Sequence, residues 1–366
     1  MTSSDPLAPL GERGLRSPRT LTLAVTGSCN LACSHCWVDS GRPSSFPHLP
    51  LPSILSIIHE LAALGGSGIR FTGGEPLLHP HWLTFMVAAR SRGFSSIYLQ
   101  SNGTLFSDEA AAMLRELDFP GLSLQISLDG ASPVSHDPVR GEGGFRKTVA
   151  GIKRLTAQGL GPRVTLFFTE MRHNLAEIPN LLELAESLGV GAVVTGALVR
   201  CGRGTGHSIA PPDPQQYLNL LHRFETDQEF RRRYERIGTT AALEWHGTQT
   251  PRPECCTFVE NPYLTPGGKL YPCTLCHADE YSVSGVFDKG LAAALSEGAP
   301  LWSSLAEISR RRGATLPECR NCPEQVACAG GCMGRAWGSH GNLLTPDDRC
   351  GVRRAVGTGT GSRHLS

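Results

Sequence analysis

Three cysteines stand close together near the N-terminus in the order Cys29-x3-Cys33-x2-Cys36, directly behind a short apolar run. Three thiolates converging from one loop can hold three irons of a four-iron cubane and leave the fourth iron open to a substrate. Zinc is the competing occupant. Closed zinc sites take four ligands, however, and the nearest fourth candidate, His35, lies inside the triplet, where it would strain the loop. A second array comes far along the chain: Cys319-x2-Cys322-x5-Cys328-x3-Cys332, then Cys350, with Cys256-x11-Gly268-x4-Cys273 upstream and Cys255 and Cys276 beside it. Cys255 and Cys276 apart, these are seven thiolates without intercalated His pairs, which disfavours a mixed Cys/His finger. Cys201 is left over and reads as an ordinary free thiol.

Other polar residues recur at comparable places. The turn Thr72-Gly73-Gly74-Glu75-Pro76 has two glycines that let backbone approach a ligand, and Glu75 offers a carboxylate to an ammonium group. Ser101-Asn102-Gly103 and Ser127-Leu128-Asp129-Gly130 are small polar turns of the kind that hydrogen-bond hydroxyls and amines. Each alone is ordinary turn chemistry. Asp129 is a candidate base, with turn-capping as its other reading, and Arg140 is a candidate partner for a carboxylate.

The elements that must position these residues are legible in the pattern. Apolar, β-branched runs at Leu21–Val25, Gly68–Phe71, Ile97–Gln100, Leu122–Ser127, Val164–Phe168 and Ala192–Thr195 alternate with segments apolar at three- and four-residue spacing, such as Ile54, Ile57, Ile58, Leu61 and Leu64. Such alternation predicts an α/β fold, a parallel sheet of six β/α units closing into a partial barrel. The polar turns then share one rim, at the strand C-terminal ends. The expected organisation is a flexible tail over 1–17, a core over 18–200, a linker with a polar helix over 201–237, a small Cys-rich irregular α+β unit over 238–351, and a frayed tail over 352–366. The Arg231–Arg233 and Arg310–Arg312 runs read as solvated helix faces.

Composition bounds the partners. With 34 Lys and Arg against 33 Asp and Glu in 366 residues, 18% charged and 40% hydrophobic, the chain is neither a disordered polyampholyte nor a nucleic-acid binder. No run reaches a membrane span, and the N-terminus lacks the apolar stretch of a signal peptide. A cytoplasmic location is expected, and there 13 cysteines speak for metal or redox chemistry, not disulfides.

With those motifs in place, the chain over about residues 18–200 resembles the radical S-adenosylmethionine enzymes. In that family the first cysteine loop, here Cys29, Cys33 and Cys36 with His35 in the aromatic slot, binds a [4Fe-4S] cluster whose open iron chelates the methionyl end of S-adenosylmethionine. The resemblance gives Gly73, Gly74, Glu75 and Pro76 to the methionyl amine, and makes Asn102 and Ser127 candidate contacts to ribose or carboxylate. The second array resembles the SPASM extension of peptide- and protein-maturing members, such as the anaerobic sulfatase-maturating enzymes, which holds two auxiliary clusters. By that resemblance Cys319, Cys322, Cys328 and Cys350 bind the outer cluster, and Cys256 or Cys255, Cys273 and Cys332 the inner one. Cys255 and Cys276 remain alternative fourth ligands.

The implied chemistry is reductive cleavage of S-adenosylmethionine to a 5′-deoxyadenosyl radical, hydrogen abstraction from a ribosomal peptide or protein, and a second oxidation aided by the auxiliary clusters. A flavodoxin or ferredoxin is the expected reductant. The short stretch before the first strand predicts no fused leader-binding domain, so a separate leader-recognition protein is expected, or else a small substrate. Oxidation or epimerisation of a small molecule, such as a sugar, an amino-acid derivative or a porphyrin intermediate, is the alternative; a non-catalytic zinc scaffold is the remaining one.

Overall fold

A computed structural model describes residues 5–41, 48–206, 209–243 and 251–361 of the chain. Six parallel strands, β1 (Thr20–Ala24), β2 (Gly68–Thr72), β3 (Ser96–Ser101), β4 (Leu122–Ser127), β5 (Val164–Glu170) and β6 (Ala192–Ala197), lie in sequential order, as the apolar runs predict. Three two-residue strands extend this partial barrel. β7 (Gly238–Thr239) pairs with β6, β8 (Tyr263–Leu264) runs parallel to β1, and β9 (Leu270–Tyr271) is antiparallel to β8.

Register divides the two faces of the sheet. Leu23, Phe71, Leu99 and Leu124 sit in one row across four strands, fully buried together with Ile69, Ile97 and Leu166. Helices such as Leu51–Ala63 and Ile178–Leu188 cover that face with Ile54, Ile58, Leu61, Leu181 and Leu182. The intervening residues point the other way. Thr22, Arg70, Gln100, Gln125, Ser127 and Phe167 line a cavity instead of a packed apolar barrel core. The interior is therefore polar by sequence, because alternate strand positions carry hydrogen-bonding side chains.

The C-terminal unit contains more regular structure than its composition predicts. A 25-residue helix, Leu291–Thr315, passes through Pro300 and buries Leu291, Leu295, Trp302 and Leu305. Glu60 accepts the Leu291 N–H at 2.6 Å and so caps this helix from the barrel side. Arg312, expected on a solvated face, is fully buried, with Nε donating to the Gly330 carbonyl at 3.0 Å and its other nitrogens to Leu343 and Thr345 carbonyls. Both expected tails are corrected as well. Leu7, Leu10 and Leu15 are buried around a short helix, Ala8–Gly11, and residues Cys350–Gly361 form a helix that buries Val352 and Val356. Residues 362–366 of the expected C-terminal tail lie outside the described ones. Among the described residues no helix is long and apolar enough to cross a membrane.

Candidate functional site

The first cysteine loop leaves β1 and meets the turn after β2 at backbone distance. Gly74 N donates to the Thr26 carbonyl and Glu75 N to the Ser28 carbonyl, both at 2.8 Å. A Cβ on Gly73 would lie 2.2 Å from Thr26 O, and one on Gly74 2.0 Å from Ser28 O. Gly73 also has φ +137°, a conformation side chains resist. The two glycines are thus required by the seating of one loop on another.

Cys29, Cys33 and Cys36 all face one cavity of about 470 Å³, with Gly73, Gly74, Asn102, Ser127 and Arg140 on its wall. Glu75 and Pro76 do not line it. The Glu75 carboxylate is fully buried and accepts Ser101 Oγ at 2.9 Å, Asn102 N at 2.8 Å and Leu77 N at 3.1 Å. Burial pushes it up to about 7, against those hydrogen bonds. In this arrangement Glu75 ties the β2 turn to the β3 turn. Asn102 reaches back from that turn, its Nδ2 donating to Asn30 Oδ1 at 2.8 Å and lying 3.9 Å from Cys29 Sγ.

Asp129 also departs from expectation. It is fully buried, accepts Arg140 Nε–H at 2.5 Å and Thr169 N–H at 2.7 Å, and lies 3.2 Å from His35 Nε2. Burial would raise its pKa, but Arg140, His35 and the Thr169 amide together hold the carboxyl well below the usual range. A buried carboxylate so held is ionised and already paired, which makes it a weak base. It anchors Arg140 instead. Arg140 Nη1 lies 4.0 Å from Cys33 Sγ, and Nη2 lies 3.3 Å from His35 Nε2.

Sequence reasoning missed Arg203. Its Nε donates to the Cys33 carbonyl at 2.8 Å, its Nη1 to Asp39 at 2.7 Å, and its own N–H to the Cys36 carbonyl at 3.0 Å. A loop expected to be mere linker thereby clamps the first cysteine loop; an arginine among turn glycines carries no local signal of that. Arg70, Gln100 and Gln125 were missed too, though their period-2 placement opposite the apolar row marks them. Among the described residues Thr22 Oγ1, Arg70 Nε and His35 Nδ1 are buried without hydrogen-bond partners. All three belong to residues on the cavity wall, which suits a polar ligand there.

The second cysteine array falls into two groups. Cys319, Cys322, Cys328 and Cys350 surround a small cavity with Arg353 and Arg354. Such a four-thiol cage fits an iron–sulfur cluster. Cys256 is the meeting point of the other group: its thiol hydrogen-bonds those of Cys255 and Cys332, and Cys276 N–H donates to Cys273 Sγ at 3.2 Å. Ser309 Oγ accepts the Cys256 N–H at 2.8 Å and lies 3.2 Å from Cys255 Sγ. Burial pushes Cys29 up to about 11 and Cys276 up to about 12, so binding a cluster must displace protons. Cys201 packs beside the helix Met333–His340, at Gly338.

Between the groups lies a cavity of about 360 Å³ that reaches Cys255 and Cys332. It shares Phe167, Ala197, Val199 and Leu275 with the cavity of the first cysteine loop, so the two adjoin.

Residues 23–185 match the family model of the Radical SAM superfamily. The AdoMet-dependent heme synthase of Methanosarcina barkeri is 26% identical over 350 residues, 91% of this chain and 96% of that protein. The mycofactocin maturase MftC of Mycobacterium tuberculosis is 29% identical over 360 residues, 96% of this chain and 87% of that one. The solved structure of native anSMEcpe with bound AdoMet is similar at a TM-score of 0.73, with 16% identity, covering 94% of this chain and 98% of that one. The same protein with AdoMet and the Cp18Cys peptide gives a TM-score of 0.72, with the same identity and coverage.

Proposed function

The chain belongs to the radical SAM superfamily and is an iron–sulfur enzyme, and from that premise we propose that it matures a ribosomal peptide or protein by a two-electron oxidation or crosslink. In this reading Cys29, Cys33 and Cys36 hold the first [4Fe-4S] cluster. Gly73, Gly74, Asn102, Ser127 and Arg140 surround S-adenosylmethionine. Two auxiliary clusters are held by Cys319, Cys322, Cys328 and Cys350, and by Cys256, Cys273 and Cys332 with Cys255 or Cys276. When bound, cluster and cofactor together supply a 5′-deoxyadenosyl radical that abstracts hydrogen from an unactivated C–H.

The chain's own residues supply position and exclusion of water. Arg203 fixes the carbonyl edge of the first cysteine loop, and Glu75 fixes the β2 and β3 turns against one another. Gln100 Nε2 donates to Gln125 Oε1 at 2.6 Å, which leaves ordered polar groups on the cavity floor. Leu31, Trp37, Val38 and Leu198 close the cavity with apolar surface.

The observation that carries the peptide reading is the shared wall of the two cavities. A substrate lying across Phe167, Ala197, Val199 and Leu275 touches both the first cysteine loop and the Cys255–Cys332 chamber. At about 470 and 360 Å³ each cavity lies within the ~300–1,000 Å³ of ordinary small-molecule pockets, and it is their junction, not their size, that suits an extended chain. The likeness to a mycofactocin maturase and to a fold solved with a peptide supports the same substrate class. A separate leader-recognition protein and a flavodoxin or ferredoxin reductant complete the proposal. The heme synthase, matched over 96% of its length, favours a second reading in which a porphyrin-like small molecule occupies the same chamber.

Co-expression with a short peptide encoded beside the gene separates these. Loss of two hydrogens from the peptide supports maturation; no mass change, together with turnover of a porphyrin substrate, moves the assignment to the second reading. Anaerobic protein should carry about twelve irons if three cubanes are present. Replacing Cys29, Cys33 and Cys36 by Ala should abolish deoxyadenosine formation, whereas C319A/C322A should leave cofactor cleavage without product.

A further inference from the structure

The two groups of C-terminal cysteines are joined by one buried ion pair. Asp347 Oδ2 accepts the Cys332 N–H at 2.9 Å and an Arg353 Nη2–H at 2.6 Å, while Oδ1 accepts from Arg353 Nη1 at 2.8 Å. The same Nη1 lies 3.4 Å from Cys328 Sγ. The side chains are 0% and 12% exposed for Asp347 and Arg353, so water screens neither appreciably. The pair therefore has a direction: its anion touches Cys332 of one group, its cation touches Cys328 of the other.

The charges around it do not erase that direction. On the Cys332 side Arg335 is spent on Asp348 in a bidentate pair, at 2.9 and 2.7 Å. On the Cys328 side Arg354 joins Arg353 on the wall of the four-cysteine cavity, where the Glu324 carboxylate sets one negative charge against their two positive ones. Arg312 lies between, with its nitrogens on the carbonyls of Gly330, Leu343 and Thr345.

A cluster that takes up one electron gains one negative charge. A neighbouring guanidinium favours the reduced form and raises the potential; a neighbouring carboxylate does the reverse. We propose that Asp347 and Arg353 act as an oriented charge pair that sets the potential of the cluster at Cys319, Cys322, Cys328 and Cys350 above that of the cluster around Cys332. With both clusters bound, this ordering would make the outer site the more readily reduced of the two. This inference rests on the cluster assignments of the proposed function.

The test uses the Cys29→Ala/Cys33→Ala/Cys36→Ala chain, reconstituted anaerobically, so that only the auxiliary clusters report, and reads both potentials by redox titration followed by electron paramagnetic resonance. Cys319→Ala identifies the outer signal by its loss. Arg353→Gln is expected to lower the outer potential, Asp347→Asn to raise the inner one, and Arg353→Lys to stay near the parent. Unmoved potentials in Arg353→Gln at full iron content overturn the proposal, as does an equal shift in Arg353→Gln and Arg353→Lys. If Arg353→Gln instead loses iron, the pair is structural and the proposal falls. A parent chain without about eight irons fails earlier, at the cluster assignment itself.

Discussion

Arg140 Nε donates to Asp129 Oδ2 at 2.5 Å, a fully desolvated contact that links the end of the helix Pro133–Arg140 to the turn after β4. Because Arg140 also lies against Cys33 and His35, this one pair fixes the charge beside the first cysteine loop. Its burial decides what a substitution does.

Asp129→Asn should destabilise the protein by about 3–5 kcal/mol, since it leaves the buried Arg140 guanidinium without its counter-ion. Urea unfolding of anaerobically purified protein measures this. A base in the reaction would behave differently: the variant would keep its stability and its deoxyadenosine formation and lose only the product. A stability change under about 1 kcal/mol, the range of an exposed pair, would refute the anchoring role.

The Asp129 case also marks how far sequence alone reaches. All six barrel strands are legible because each is an apolar run ending in a polar turn; Leu122–Ser127 coincides with β4 and the others differ from it by a residue or two at their ends. The rim placement of Cys29, Gly73, Asn102 and Ser127 follows from the same pattern. What stays hidden is partnership. Nothing in Ser-Leu-Asp-Gly tells that Arg140 occupies the carboxylate, or in Gly-Gly-Glu-Pro that Glu75 turns inward to Ser101 and Asn102. The helix Leu291–Thr315 is obscured by Pro300, Gly298 and Gly313, whose low propensity is overridden by burying Trp302 and Leu305. β8 is two residues long, too short for any periodicity, yet it docks the cysteine-rich unit on β1.

His136 should give the protein a characteristic acid sensitivity. It is fully buried, and its Nδ1 accepts the Asp129 N–H at 3.1 Å. Burial, and then the charge of Arg140, lower its pKa from 6.5 to about 4. Between those values the unfolded chain takes up a proton that the folded one refuses, so stability falls as pH drops from 6.5 towards 4, by about 3 kcal/mol in all. Glu75 acts in the opposite sense. Held at about 7 in the fold, it takes up its proton before the unfolded chain does and gains stability on the same descent. The difference between wild type and His136→Gln isolates the histidine, as glutamine can still accept the Asp129 amide. Urea midpoints from pH 7 to 4 should fall less steeply in His136→Gln; parallel curves would refute the assignment.

Gly74→Ala should disable the first cysteine loop while sparing the second array. The new Cβ would stand 2.0 Å from the Ser28 carbonyl oxygen, a backbone atom that no side-chain rotation can move aside. Relief requires the β2 turn and the cysteine loop to part, which breaks the 2.8 Å bonds from Gly74 N to Thr26 O and from Glu75 N to Ser28 O. Overpacking of this kind costs roughly 1–3 kcal/mol, too little to unfold a chain of this size. The loss is local: Cys29 follows Ser28 directly and moves with it, whereas Cys319, Cys322, Cys328 and Cys350 surround a separate cavity. Anaerobic Gly74→Ala protein should therefore keep about eight of about twelve irons and form little deoxyadenosine. Retention of all the iron with undiminished cofactor cleavage would show that the contact of the two turns does not govern the site.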